Sequence, residues 1–297
     1  MTGNEFIDLD TASVASVTVE TSYDERDLAL YALGVGAAGD ALDEQELAFV
    51  YEGSERFSAL PTYAVMPASN AMIGLLKAGK GMLPGLNFGF ERLLHGEQFT
   101  EIKAPLPRSA KLIHDFRLKA AYDKTPHAVV VLGISTRTAG GESIAYNEFS
   151  AFVRGAGGWG GERGPSAESN VPPVRTPDVV IEEKTAANQG LLYRLSGDWN
   201  PLHADPQTAR KSGFAKPILH GLCTYGYVGR HVLRTFCEND PRRFKSIKVR
   251  FAEPLFPGET LVTRLWKVSA TRVVFEVEAK ERGKLVIKNA AAEIDSH

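Results

Sequence analysis

The chain has 297 residues, 43% of them apolar and 24% charged, which suits one large globular domain or two of moderate size and argues against disorder. Thirty-four Lys and Arg against 36 Asp and Glu leave a formal charge of −2, so a general nucleic-acid or membrane-surface binder has no electrostatic basis here. The longest apolar run, Ala128 to Ile134, is far too short to span a bilayer, and two cysteines, Cys223 and Cys237, cannot build a disulfide framework. Glu5, Asp8 and Asp10 precede the first basic residue, Arg26, which fits neither a secretory nor a mitochondrial targeting segment. So few cysteines point to a reducing setting, and the expectation is cytoplasmic or peroxisomal, although the last three residues, Asp295-Ser296-His297, are not a Ser-Lys-Leu peroxisomal address.

In chain order, Leu30 to Gly36 (LYALGVG) is echoed 162 residues later by Leu192 to Asp198 (LYRLSGD). Ala68 to Ala78 is helical in pattern, and Leu112 to Ala121, His127 to Thr136 and Ser143 to Arg154 are rich in β-branched and aromatic residues, with Gly140-Gly141 as a hairpin turn. Six of the ten residues from Gly155 to Gly164 are glycine, and prolines follow at 165, 172 and 173, a composition that punctuates or links. The second half repeats the design: a helical stretch over Ile218 to Phe236, then strands over Ser246 to Ala252, Thr260 to Val268, Thr271 to Glu281 and Leu285 to Ile294. Helix first and antiparallel strands after, twice over, is an α+β pattern without βαβ alternation. The expected division is an N-terminal domain over 1–154, a Gly/Pro-rich linker over 155–177 and a C-terminal domain over 178–297.

Two Gly-x-Gly-x-x-Gly matches carry little. Gly155 to Gly160 is followed by Pro and Ser where a helix should begin, and Gly34 to Gly39 is followed by Asp40, Asp43, Glu44 and Glu46, which would repel pyrophosphate. The densest chemistry lies at Tyr193 to His203 (YRLSGDWNPLH), where Asp198, Asn200 and His203 fall within six residues broken by Gly197 and Pro201. Glycine and proline preclude a regular helix, so the three polar groups sit on a shaped turn that can aim an acid, an amide and an imidazole at one point. The alternative is a surface Asx-turn with an incidental histidine. Lys216 to Thr224 (KPILHGLCT) forms a second cluster, in which Pro217 can start a helix whose free N–H groups near His220 and Gly221 suit a carbonyl oxygen. Five of the nine residues from Arg242 to Arg250 are basic, either a solvated strand edge or a hold for a phosphate-bearing ligand. Both cysteines read as packing residues, and the histidines lack metal-ligand spacing.

Through Leu192 to His203 (LYRLSGDWNPLH) and Pro217 to Gly221 (PILHG), the chain resembles the 2-enoyl-CoA hydratase 2 family, the MaoC-like hydratases. Leu94 to Gln98, Pro105 to Arg108 and Gly157 to Gly161 extend the likeness to the hydratase 2 part of the type 2 peroxisomal multifunctional enzymes. The resemblance implies a double hot-dog fold, each half an antiparallel sheet wrapped around a central helix. It also implies hydration of trans-2-enoyl-CoA to (3R)-3-hydroxyacyl-CoA by a homodimer with no metal or redox cofactor. Asp198 and His203 match the family's acid/base pair, Asn200 the residue that holds water, and the Gly221 backbone the thioester-oxygen site. Ligand contacts are implied at His95, Gly96, Lys124, Trp199, Pro201, Leu202 and Phe251. By the 162-residue offset Gly36 stands opposite Asp198 and Ala41 opposite His203, so the first half is expected to house the acyl chain and do no chemistry. The rival readings are a hot-dog thioesterase or 3-hydroxyacyl dehydratase, and an acyl-CoA binding module without turnover.

Overall fold

Ten antiparallel strands form a single sheet, and its order shows the duplication directly. In the computed structural model, which describes residues 3–165 and 169–296, the strands are β1 (Val17–Tyr23), β2 (Leu93–Ile102), β3 (Ala110–Lys124), β4 (His127–Thr138), β5 (Ser143–Val153), β6 (Val179–Lys184), β7 (Phe244–Phe251), β8 (Thr260–Lys267), β9 (Arg272–Ala279) and β10 (Lys284–Ile294). They lie in the order β1-β3-β4-β5-β2-β7-β10-β9-β8-β6. The last five strands therefore repeat the order of the first five in reverse, as a two-fold rotation would, joined where β2 pairs antiparallel with β7 through Glu97↔Arg250 and Phe99↔Lys248. The four strand pairings that the sequence did not signal belong to β1, β2 and β6. The outermost, β1 and β6, alternate half-buried and exposed residues, as strands with one face on the core do.

Among the described residues seven α-helices accompany the sheet: α1 (Leu9–Val14), α2 (Glu25–Gly34), α3 (Glu44–Leu47), α4 (Val65–Lys77), α5 (Gln189–Tyr193), α6 (Pro206–Lys211) and α7 (Gly221–Phe236). The two long ones, α4 and α7, are the central helices of the two hot-dog halves. Helix α2 begins on a capping box in which Asp24 and Asp27 satisfy each other's backbone N–H groups. Helix α7 is buried from Leu222 through Leu233, and its glycines permit that depth. A Cβ at Gly226 would stand 2.4 Å from Val35 Cγ1, and one at Gly229 would stand 2.2 Å from Thr62 Cγ2.

One apolar core spans both halves, and a second, around Met72, Phe116 and Phe149, belongs to the first half alone. Tyr31 and Met66 pack with Tyr193 and Tyr225, and the Tyr193 hydroxyl donates to Met66 Sδ at 3.1 Å. A buried ion network adds polar ties. Arg230 of α7 pairs with Glu46 of α3 at 2.5 Å and with Glu183 of β6, and its Nε donates to the Val35 carbonyl at 3.3 Å. His231 beside it bonds Glu183 and Thr263. Removing one partner of such a buried pair typically costs about 3–5 kcal/mol because a charge is left without compensation.

Two expectations change. Pro217 does not open a helix: residues 217–220 run extended, tied by the Leu219 N–H to the Leu255 carbonyl at 2.7 Å, and α7 starts four residues later at Gly221. The basic strand is not an edge, because β7 lies between β2 and β10 in the middle of the sheet. Gly34 to Gly39 follows a helix and not a strand, and the Ala38 N–H there is taken by the Glu46 carboxylate at 2.8 Å. The glycine-rich stretch is held to the first half: the Asp123 carboxylate accepts from Gly158 and Gly160, and the Asn4 amide donates to the Ala156 and Gly157 carbonyls. The Gly158 N–H above all, then the Thr125 hydroxyl and N–H and the Gly160 N–H, hold the Asp123 carboxyl well below the usual carboxylate range.

Candidate active site

The turn that carries Asp198 is shaped by its own backbone. A short 3-10 helix over Arg194–Ser196 ends at Gly197, whose φ of +130° is closed to most L side chains. The chain then passes Asp198 and Asn200 and enters a second 3-10 turn, Pro201–His203. Asp198 Oδ1 accepts the Asn200 N–H at 3.1 Å, and Asn200 Oδ1 accepts the Leu202 N–H at 3.0 Å. Asp and Asn side chains thus fold the loop that carries them, as Asx-turns do. The result places Asp198 and His203 on the same side of one loop.

His203 is fixed by the extended segment before α7. Its Nδ1 lies 2.9 Å from the Ile218 carbonyl, an acceptor only, so Nδ1 carries the proton and Nε2 keeps a lone pair. Burial pushes its pKa below the ordinary histidine value, while the neighbouring Asp198 charge pulls it back up. A neutral imidazole with a fixed tautomer is a base in waiting. The His220 ring stacks on it at a centroid separation of 3.8 Å and an interplanar angle of 27°. His220 Nε2 lies 3.2 Å from the Asp198 carbonyl, and burial, with His203 beside it, holds this imidazole well below the ordinary value. Ligand-type atoms of Asp198, His203 and His220 all lie within 4.8 Å of one another, the spacing that would also let these three hold a metal ion.

Gly221 is the first residue of α7, with His220 as its N-cap and no side chain capping the turn. First-turn N–H groups have no acceptor within their helix, so this end presents donors and the positive pole of the helix beside the imidazoles. A Cβ at Gly221 would sit 3.1 Å from the Phe251 ring, tight enough that the position favours glycine. Phe251 in turn packs on the His95 ring at 5.0 Å, and His95 packs on Phe149 at 4.2 Å. The sheet pairing shifts register between His95 and Glu97, leaving Gly96 as the bulge that turns the histidine inward. Burial drives the His95 pKa down to about 3, so it too is neutral.

The chain matches two family descriptions in series: the MFE-2 hydratase 2 N-terminal domain over residues 21–155 and the MaoC-like domain over 168–290. It is 43% identical over 279 residues to the Arabidopsis thaliana protein named enoyl-CoA hydratase 2, peroxisomal, covering 90% of this chain and 88% of that one. The chain belongs to the MaoC-like 2-enoyl-CoA hydratase 2 family. It is also 47% identical over 276 residues to mouse peroxisomal multifunctional enzyme type 2, covering 92% of this chain but spanning only 37% of that longer protein. A crystal structure of a MaoC-like dehydratase from Phytophthora capsici superposes with a TM-score of 0.86 at 34% identity, covering 98% of this chain and all of that one. The double hot-dog architecture is thus that of the family.

Within this hydratase 2 frame, the structure gathers Asp198, Asn200, His203, Gly221, Phe251, His95 and Gly96 around the start of α7. Trp199 lies on the rim, 44% exposed, with the Arg194 guanidinium 4.2 Å over its ring, and Pro201 and Leu202 continue that rim. Lys124 is not drawn into the cluster: it ends β3, and β4 and β5 separate that strand from His95 on β2. The basic run is committed to carboxylates. Arg242 pairs with Asp240, Lys245 with Asp295, and Lys248 and Arg250 both with Glu97. That pairing favours its structural reading. Sequence reasoning gave His220 only a backbone role and missed its stack on His203. Its one signal was a histidine immediately before the helix glycine.

Both thiols are inert packing groups. Cys223 is fully buried, and burial pushes the Cys237 thiol up to about 12.

Proposed function

We propose that the protein catalyses the reversible, (3R)-specific hydration of trans-2-enoyl-CoA to (3R)-3-hydroxyacyl-CoA. The observation that carries the reading is the convergence of Asp198 and the neutral, tautomer-fixed His203 beside the open N-terminus of α7. Adding water to an enoyl thioester needs a proton taken from water, a proton delivered to C2, and support for an enolate-like oxygen. Asp198 and His203 take hold of the water, whose oxygen bonds C3, and the proton removed from it returns through the pair to C2. The Gly221 N–H supports the thioester oxygen as negative charge grows there, a contribution typically worth about 10²–10³ in rate. Asn200, with Oδ1 committed to the loop, offers its NH₂ to the same water.

The first half is assigned the acyl chain. Gly36, which stands where the second repeat has Asp198, has a φ of +81°, and a Cβ there would meet the Tyr227 ring at 2.4 Å. That place is closed to an acid. A narrow cleft of about 10 Å³, room for about one water, lies instead between α4 and the sheet, lined by Val65, Ala68, Ser69 and Met72 and reaching Leu222, the neighbour of Gly221; an acyl chain entering there has to widen it. Lys124, on the same sheet, is the cation assigned to the CoA phosphates.

Incubation with crotonyl-CoA or trans-2-decenoyl-CoA tests the reading. A hydratase removes the enoyl absorbance without freeing thiol, and its product is the 3R alcohol. A thioesterase releases thiol, and a binding module does neither; either result overturns the proposal. The proposed setting is fatty acyl β-oxidation, in the peroxisome as the mouse and Arabidopsis names state for those proteins, or in the cytoplasm; microscopy of the tagged protein decides between them. The homodimer implied by the resemblance belongs to the same proposal and is checked by light scattering. Among the described residues no helix is long and apolar enough to cross a membrane.

A further inference from the structure

Asn70 is the sixth residue of α4, the central helix of the half that carries no acid/base pair. Ser69 and Asn70 are the only hydrogen-bonding side chains between Val65 and Leu76, and the Asn70 side chain does not serve its own half. The Asn70 Nδ2 group donates to the Ser196 carbonyl at 2.9 Å, 126 residues along the chain. Its Oδ1 is buried with no hydrogen-bond partner and lies against Gly197: a Cβ at Gly197 would fall 2.0 Å from it. The amide orientation is the one chemistry demands, since the reverse would set two carbonyl oxygens face to face. The carboxamide therefore grips the Ser196–Gly197 peptide, one link before Asp198, and occupies the space that the absent Gly197 side chain leaves.

The duplication supplies an internal comparison. The sixth residue of α7 is Gly226, and a Cβ there would stand 2.4 Å from Val35, the residue that the 162-residue offset sets opposite Gly197. Each central helix thus presses its sixth residue against the other half's turn. In the copy without an acid, the side chain belongs to the turn (Val35) and the helix supplies glycine. In the copy with Asp198, the turn supplies glycine and the helix supplies an amide with a hydrogen-bond donor. The exchange leaves a buried oxygen without a partner, a desolvation cost that an apolar side chain would not carry. Packing alone would be met by valine, as it is in the other copy.

We propose that Asn70 is a positioning residue through which the N-terminal half sets the geometry of the Asp198 turn. This inference rests on the hydratase reading of Asp198 and His203. Asn70 acts on the loop and through it on the carboxylate, so its loss misaligns the reacting groups without removing a contact to substrate. It also differs in kind from the neighbouring cleft residues Ala68, Ser69 and Met72, whose effect depends on the length of the acyl chain.

The experiment compares Asn70→Ala and the isosteric Asn70→Asp with wild type and Asp198→Asn on crotonyl-CoA and trans-2-decenoyl-CoA. A displacement of about 1 Å can cost on the order of 100-fold, so kcat is expected to fall about 10- to 100-fold with both substrates, with KM changed by less than about twofold. Asn70→Asp keeps the volume but opposes an oxygen to the Ser196 carbonyl, so it is expected to lose as much, and it serves as the folded control if the alanine variant unfolds. Thermal unfolding confirms which variants are folded. A folded variant with wild-type kcat overturns the inference, and so does a loss confined to decenoyl-CoA, which would make Asn70 part of the acyl lining. If Asp198→Asn is inactive while both Asn70 variants turn over normally, the positioning role falls and the hydratase reading stands. A wild-type protein that hydrates neither substrate brings down both.

Discussion

Replacing Asp198 by asparagine separates chemistry from structure, because the new side chain keeps the shape and loses the charge. The structural duty of Asp198 is one accepted hydrogen bond, from the Asn200 N–H at 3.1 Å, and the asparagine Oδ1 can accept it equally well. A retained bond of this kind is worth about 1 kcal/mol net, so the stability of Asp198→Asn should lie within about 1 kcal/mol of wild type. The chemical duty cannot be retained, since a carboxamide neither takes nor returns a proton at neutral pH. General acid–base catalysis contributes about 10²–10⁴ in rate, or about 2.7–5.5 kcal/mol at 1.36 kcal/mol per tenfold. A third consequence follows for His203. Its pKa is lowered by burial and partly restored by the Asp198 charge, so without that charge the imidazole should hold its proton even less well. The acid limb of kcat/KM lies below about pH 6.5 in wild type and should move to lower pH in the residual activity of the variant. Enoyl absorbance with crotonyl-CoA measures turnover across pH, and urea denaturation measures stability. Turnover within tenfold of wild type would refute the reasoning. So would a stability loss above about 2 kcal/mol, which would make Asp198 a structural residue, or an acid limb that moves upward.

Gly221→Ala places a methyl 3.1 Å from the Phe251 ring, which must yield by a few tenths of an ångström. The gain of about 0.4–1 kcal/mol from a stiffer unfolded chain offsets part of that strain, so Tm should move only a few degrees while kcat falls about tenfold or more; unchanged kinetics would detach the start of α7 from catalysis. Ser69→Leu fills the cleft beside α4 and should penalise trans-2-decenoyl-CoA at least tenfold more than crotonyl-CoA, equal losses arguing against an acyl role for the first half. Buried neutral histidines make the fold acid-sensitive: burial lowers His114 to about 4 and His95 to about 3, whereas the unfolded chain takes up these protons near pH 6.5. Stability is therefore full above about pH 6.5 and should fall by up to about 1.4 kcal/mol per pH unit for each such histidine, until the folded state protonates near pH 4 and below. Urea midpoints that stay flat between about pH 7 and about pH 5 would contradict this burial.

Local pattern alone marked β3 to β5, β7 to β10, the two central helices and the loop from Tyr193 to His203, because alternation, apolar runs and the Gly-Asp-x-Asn-Pro chemistry are properties of neighbours in sequence. It also showed the duplication, whose 162-residue offset reappears as Val17 opening β1 and Val179 opening β6. The sequence likewise singled out Asp198, Asn200, His203 and Gly221. Their juxtaposition required the fold: the extended run from Pro217 to His220 brings an acceptor to His203 and sets the start of α7, and its path depends on Leu255, far along the chain. Charge was the least legible property. A strand with alternating basic residues looks the same whether solvent or carboxylates face it, and only the pairing of β2 with β7 gives Glu97 to Lys248 and Arg250. Asn70 was invisible for the same reason. A lone amide on an apolar helix acquires meaning from what it touches, and what it touches is the turn of the other half, which only the packing of the two copies could place there.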